Sequence, residues 1–202
     1  AKKTTVKFPE SSKAFELKGV VEAGMGQFRD AVESYSHAAQ LDPSNVDSFL
    51  GLSDAQSAAG LTKEATASYE HGIRQFPKDA RFPAHYASTL LRESELGNAN
   101  ARVRAKQLLQ SSLKLDASLF ESHYELGNLE LNDGRMAQAV QHLERAVKLE
   151  PNSPAAHFAL SRAYRRQRRL SDAARQLETY NRLKDEAAHS SEAAMPEVQP
   201  HE

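Results

Sequence analysis

The sequence predicts an all-α protein, a solenoid of antiparallel helix-turn-helix units, and three observations predict it. Prolines fall 34 residues apart at Pro9, Pro43 and Pro77, and Pro151 stands the same 34 residues after Ala117. Proline lacks an amide hydrogen and biases the residue before it away from helical dihedrals, so each marks the end of a helix. Alanine recurs at one place in every interval, at Ala31, Ala65, Ala105, Ala139 and Ala173, once six extra residues in the third interval are allowed for. Between these marks the apolar residues keep a helical period: Ala139, Val140, Leu143, Ala146 and Val147 form one stripe, with Gln141, His142, Glu144 and Arg145 off it.

The elements follow in order. Val6-Lys7-Phe8-Pro9-Glu10 is in phase with Arg74-Gln75-Phe76-Pro77-Lys78, so residues 1–11 read either as the end of a truncated preceding repeat or as a non-helical leader. Five units come next, at 12–45, 46–79, 80–119, 120–153 and 154–184. Each has a first helix, a short turn and a second helix; Gly26, Gly60 and Gly134 occupy one turn position, where glycine supplies the left-handed residue that stops a helix. Large residues at Tyr35, Tyr69, Leu109, Leu143 and Leu177 alternate with smaller ones at Ala38, Gly72, Ser112 and Ala146, and Tyr180 breaks the small series in the last unit. The recurring alanine marks the closest helix approach, so a larger side chain there would overpack at about 1 to 3 kcal/mol.

Two units depart from the pattern. The third has Pro83 in the first turn of its first helix, where the missing donor costs little, and its six extra residues, within 93–100, are expected to form a longer turn. In the fifth, Gln167-Arg168 replaces the turn glycine. Its second helix carries Leu170, Ala173, Ala174, Leu177, Tyr180 and Leu183 on one face with polar residues elsewhere, as a terminal repeat needs for solubility. Residues 185–202 read as a disordered acidic tail.

Three units match much of one repeat signature, an aromatic near position four, Leu-Gly at seven and eight, Ala at twenty, an aromatic or Leu at twenty-four, Ala at twenty-seven and Pro at thirty-two, while His123 and His157 replace the aromatic at position four in the last two units. Leu126, Gly127, Ala139, Leu143, Ala146 and Pro151 supply it in the fourth unit; Phe49, Leu52, Ala65, Tyr69 and Pro77 in the second; Phe15, Gly19, Ala31, Tyr35, Ala38 and Pro43 in the first. Over residues 12–184 this resembles the tetratricopeptide repeat. The resemblance implies a right-handed superhelix that serves as a non-catalytic scaffold, binding a peptide or protein in a concave groove lined by the first helix of each unit.

Carried over by register, the groove includes Lys13, Glu16, Val20, Asp47, Leu50 and Asp54 in the first two units, with Leu50 expected to pack between repeats and the same packing an alternative for Phe158. The partner-binding set expected from it is Arg81 and His85, then Glu121, Tyr124, Glu125 and Asn128, then Phe158, Arg162, Arg165 and Arg166. Tyr124 and Phe158 would be apolar anchors beside charged groups. Repeats that clamp the terminal carboxylate of heat-shock chaperones need Lys and Asn, then Asn, then Lys and Arg at set positions. Units one to three offer Glu16, Val20, Gly51, Arg81 and His85 instead, and no other frame matches, so no chaperone carboxylate clamp is expected.

Composition narrows the chemistry. With no Cys in 202 residues there is no disulfide, thiolate metal site or cysteine nucleophile, and cytosol and periplasm suit the chain equally. No apolar run approaches the roughly 18 to 20 residues of a membrane span. There is no phosphate-binding glycine loop, no Gly-x-Gly-x-x-Gly and no His-Glu-x-x-His. Gly51-Leu52-Ser53-Asp54-Ala55 lacks the second glycine of a nucleophile elbow, and Ser111-Ser112-Leu113-Lys114 lacks the companions of a Ser-x-x-Lys catalyst; both read as repeat sequence. His123 and His157, 34 apart on neighbouring first helices, are the one hint of a metal pair. Two imidazoles with no third ligand make a poor zinc site, so no metal, cofactor or enzymatic activity is expected.

The net charge of -1 weighs against a generic polyanion binder, yet it is unevenly spread. Residues 162–184 carry a net +6, with Arg162, Arg165, Arg166, Arg168 and Arg169 clustered, and 185–202 carry -5. The cluster suits an acidic protein partner, the chain's own tail or a solvated face; RNA or single-stranded nucleic acid is the alternative ligand.

Overall fold

The computed structural model describes residues 11–95 and 99–193, and within them the chain is helical, with ten helices and no strand. It divides into two compact units, Ala1–Ala117 and Ser118–Glu202. The first contains α1 (Ser12–Gly24), α2 (Phe28–Leu41), α3 (Val46–Ala58), α4 (Thr62–Gln75), α5 (Arg81–Glu95) and α6 (Ala99–Leu115), packed as hairpins α1/α2, α3/α4 and α5/α6. The second contains α7 (Phe120–Asn132), α8 (Met136–Leu149), α9 (Pro154–Arg166) and α10 (Leu170–Ala193), packed as α7/α8 and α9/α10. Within a unit each first helix also lies on the second helix of the hairpin before it: α3 on α2, α5 on α4, α9 on α8.

Local chemistry sets the helix ends. Ser11, Asn45 and Ser153 each accept a hydrogen bond from the amide three residues on, at 3.2, 3.1 and 3.4 Å, a cap worth about 1 kcal/mol. The hairpin turns use one left-handed residue, Gly26 (φ 73°), Gly60 (φ 76°) and Gly134 (φ 78°), as the glycine spacing predicts. In the last hairpin Arg168 holds that conformation at φ 61°. A side chain there is opposed by its own Cβ, at roughly 1 to 2 kcal/mol. Arg168→Gly is therefore expected to stabilise the second unit by about 1 kcal/mol, less what glycine's freer unfolded chain returns. Urea unfolding of the two proteins side by side measures it; a lower midpoint for the variant would mean that the Arg168 side chain holds the turn.

The recurring alanines lie where the sequence puts them. Ala31, Ala65, Ala105 and Ala139 have no accessible surface, and Ala173 is buried. Around them, large side chains occupy space left by glycines. Tyr35 lies between Gly19 and Gly51, where an added Cβ would stand 3.0 and 2.5 Å from its ring. At Gly72 it would lie inside the van der Waals envelope of Phe82, and at Gly127 it would meet Leu143 Cγ at 2.6 Å. Leu50 is buried, as expected.

Two expectations are corrected. The extra residues of the third unit lengthen helices: α5 and α6 run 15 and 17 residues against 13 and 14 for α3 and α4. Residues 93–95 of the insert are thus the end of α5 and 99–100 the start of α6, and 96–98 lie outside the described residues. The final helix also enters the segment read as a disordered tail, ending at Ala193. Residues 184–193 hold no glycine or proline, and Arg182 Nη1 donates to Glu186 Oε1 at 2.7 Å across one turn. The rest of that tail and residues 1–10, with the choice between truncated repeat and leader, lie outside the described residues.

Candidate functional site

In the first unit the expected site residues are Arg81 and His85, on the first turns of α5. Asp79 stands at the start of that helix and accepts from the Arg81 amide at 2.9 Å and from Arg81 Nε at 3.0 Å. The other side of the guanidinium reaches Asp47 Oδ1 at 2.8 Å, 34 residues earlier and so at the same place in the neighbouring first helix. Burial would raise the Asp79 carboxyl, but the side-chain and backbone hydrogen bonds from Arg81 outweigh it and hold the group below its ordinary value. Arg81 is thus clamped between two carboxylates.

His85 Nδ1 sits 3.0 and 2.9 Å from the two oxygens of Asp54, and Tyr69 donates its hydroxyl to Asp54 Oδ1 at 2.7 Å. Burial first, then the charge of Asp54, pushes the Tyr69 phenol well above its ordinary value. Thr89 Oγ1 donates to the Tyr69 oxygen at 3.4 Å and pairs with Ser57 Oγ at 2.9 Å, which accepts from Arg92 Nη2 at 2.5 Å. Side chains from α3, α4 and α5 form this network. Asp54 and His85 are both inner-face positions, but nothing in the sequence says that residues 31 apart in a 34-residue repeat meet. The signal is a three-residue stagger between neighbouring first helices.

The remaining expected residues are in the second unit. On α7, Glu121 is exposed, while Glu125 and Asn128 are half-buried. Tyr124 stacks on Phe120, ring centroids 5.8 Å apart, and packs against the core cluster of Leu131 and Leu143. Its ring is therefore partly spent on packing. On α9, Phe158 is 43% exposed, with its ring 5.1 Å from Tyr180.

The arginine cluster separates by role. Arg166 Nη1 donates to the Leu131 carbonyl at 2.6 Å, satisfying the last turn of α7. Arg169 pairs with Asp172 at 2.7 Å and lies 4.1 Å over the ring of Tyr164. Tyr164 donates to Glu144 Oε1 at 2.6 Å, and burial followed by that bond pushes its phenol up to about 12. Arg168 makes the turn. Arg162 and Arg165 are exposed and carry no ion pair among the described residues.

His123 and His157 are not a pair. His123 Nδ1 lies 3.0 Å from His142 Nδ1, whereas His157 contacts Gln176 Oε1 at 2.6 Å and the Pro151 carbonyl at 2.9 Å. Each ring thus bonds across its own hairpin to the same position of the second helix, 19 residues on. Among the described residues no three His, Cys, Asp or Glu side chains converge as a metal site, and no helix is long and apolar enough to cross a membrane.

Sequence models of the tetratricopeptide repeat match residues 23–87 and 124–190. Low calcium response locus protein H of Yersinia pestis is 29% identical over 116 residues, 57% of this chain and 63% of that protein. The chain thus matches less than two thirds of that relative's length. Among solved structures, PilF of Pseudomonas aeruginosa superposes with a TM-score of 0.73 at 19% identity, over 86% of this chain and 77% of that one. YrrB, described as a tetratricopeptide repeat protein with an unusual peptide-binding site, does so with a TM-score of 0.57 at 16% identity, over 95% and 97%. At these identities the structures speak to the fold alone. With both repeat matches, the buried alanine series and paired helices in each unit, the chain belongs to the tetratricopeptide repeat family.

Proposed function

We propose that the protein is a non-catalytic interaction scaffold and that the first-helix face of its second unit binds an acidic peptide segment. The observation that carries this reading is on α9: Phe158, Arg162 and Arg165 recur at four- and three-residue spacing, all exposed. Two guanidiniums with no carboxylate partner among the described residues, beside a ring that is 43% exposed, suit a peptide that brings carboxylates and an apolar side chain. The tetratricopeptide fold supports a protein-interaction scaffold in general, and the peptide-binding site named for YrrB supports a peptide as ligand. Arg166, also exposed, holds the Leu131 carbonyl through Nη1 and keeps its other guanidinium donors for the same peptide.

The test is binding to immobilised peptides of matched length and differing net charge. The acidic peptides should be retained, and Arg162→Glu with Arg165→Glu should weaken them about tenfold or more while helicity is unchanged. Equal retention of basic and acidic peptides, or an unaffected double variant, would remove this face from consideration. Preference for single-stranded RNA over every peptide, falling steeply with salt, would favour the nucleic-acid reading instead.

A further inference from the structure

The last hairpin departs from the others where its two helices meet. In the earlier units the place of Tyr180 on the second helix holds a small residue, Ala38, Gly72, Ser112 or Ala146. Tyr180 sets a half-buried ring there, 5.1 Å from the ring of Phe158 on α9. Lys184, one turn further along α10, holds its ammonium 5.6 Å from the centre of the Tyr180 ring. Phe158 meets Tyr180 while Tyr164 meets Arg169, so the two helices run antiparallel. Lys184 therefore lies toward the start of α9, on the opposite side of the ring pair from Arg162. It is exposed and, like Arg162 and Arg165, has no carboxylate partner among the described residues. Cations thus flank the aromatic pair on both sides. At the helical rise, Lys184 and Arg162 each stand about 6 Å from it along the axis, and Arg165 about 10 Å.

We propose that this site takes an extended segment with a carboxylate on each side of an apolar residue, in the pattern acid-x-apolar-x-acid. The apolar side chain lies on Phe158 and Tyr180, and the two acids meet Lys184 and Arg162. The inference rests on the acidic-peptide reading above and adds Tyr180 and Lys184 to it as specificity-determining residues. In an extended chain alternate side chains point the same way about 6.6 Å apart, close to the steps of about 6 Å on this face. A third acid two residues past the second meets Arg165 through the reach of its side chain. The core of the pattern reads the same in both chain directions. Helices pack about 8 to 10 Å apart through continuous rows of side chains, and this face offers one ring pair between charges, so it suits an extended ligand over a helical one. The chain's own Glu197 does not close the site. Helix α10 carries the chain about 14 Å past Lys184 before it ends at Ala193, and the stretch from there to Glu197 spans at most about 14 Å, against about 26 Å back to Arg162.

Three end-capped, labelled peptides of one composition, with three glutamates and one leucine in a Ser/Thr background, test the pattern on the full chain by fluorescence anisotropy. The first carries Glu-x-Leu-x-Glu-x-Glu. The second sets the same four residues at helical spacing, Glu-x-x-x-Leu-x-x-x-Glu-x-x-Glu, and the third puts every acid on one side, Leu-x-Glu-x-Glu-x-Glu. The first should bind about tenfold or more tighter than the second and about fivefold tighter than the third. Lys184→Glu, at an exposed position, should weaken the first about fivefold or more with helicity unchanged. The third should change by less than about twofold, because it leaves Lys184 empty and charges more than roughly 8 Å apart are screened at physiological salt. Arg162→Glu with Arg165→Glu should weaken all three.

Tightest binding by the helical spacing, equal binding of the three peptides, or the same response of the first and third to Lys184→Glu overturns the pattern. If the arginine double variant still weakens binding in those cases, the acidic-peptide reading is left in place and only the pattern falls. Retention of none of the three peptides, or indifference of all three to Arg162→Glu with Arg165→Glu, removes the acidic-peptide reading and the pattern with it.

Discussion

Gly72→Ala is expected to destabilise the first unit by about 3 kcal/mol, the upper end of what overpacking costs in a rigid core. A Cβ at this position points at Cε1, Cδ1 and Cζ of Phe82, a ring with no accessible surface. The ring has no room to retreat, because it stacks on Phe76 with centroids 5.6 Å apart, and Phe76 lies in turn on Phe49 at 5.5 Å. The clash must therefore be relieved by moving α5 away from α4. Phe82→Ala should cost about 3 to 5 kcal/mol by itself, through lost burial and the cavity left behind. Together the two changes should cost less than their sum by at least about 1 kcal/mol, because the new methyl fills part of that cavity. Urea denaturation of the four proteins closes the cycle, and strict additivity would show that the glycine is not there for the ring.

In the second unit Leu143→Ala should lose about 3 kcal/mol, in the range for truncating a fully buried leucine. Leu143 is inaccessible, belongs to the cluster that joins α8 to α9, and covers the backbone of α7 at Gly127. The loss should appear as faster amide hydrogen exchange along α7 and α8 as well as a lower melting temperature. A change below about 1 kcal/mol would mean that the hairpin closes over the gap. Gly127→Ala alone should also destabilise, but in the Leu143→Ala protein most of that penalty should vanish. The side-chain contact is then gone, leaving the Leu143 amide nitrogen at 3.3 Å.

What could be read in advance was whatever the 34-residue period repeats. The alanines at positions 31, 65, 105, 139 and 173 and the left-handed turn glycines are decided within one hairpin, by steric fit and by the backbone conformation of the turn. What could not be read depends on how far one helix slides past the next. The stagger that brings His85 to Asp54 is one case; Arg166 Nη1 reaching the carbonyl of Leu131 is another. Equal spacing alone does not bring residues together either, since His123 and His157 are equivalent and yet each bonds inside its own hairpin.

The sequence by itself determined the hairpin, its period and its family, because proline, glycine and alanine impose local constraints that no distant contact needs to supply. Only the tertiary structure decided which charges are spent and which surfaces are open. Composition counts five clustered arginines; packing engages Arg166 and Arg169, sets Arg168 in the turn and leaves Arg162 and Arg165 exposed. Likewise Leu17, Val21 and Met25 look like ordinary core residues in a list, and become a surface only because none of the described helices lies where α2 lies on α3. Exposure is a property of neighbours, and a neighbour is chosen by the free energy of packing many side chains at once rather than by any residue alone.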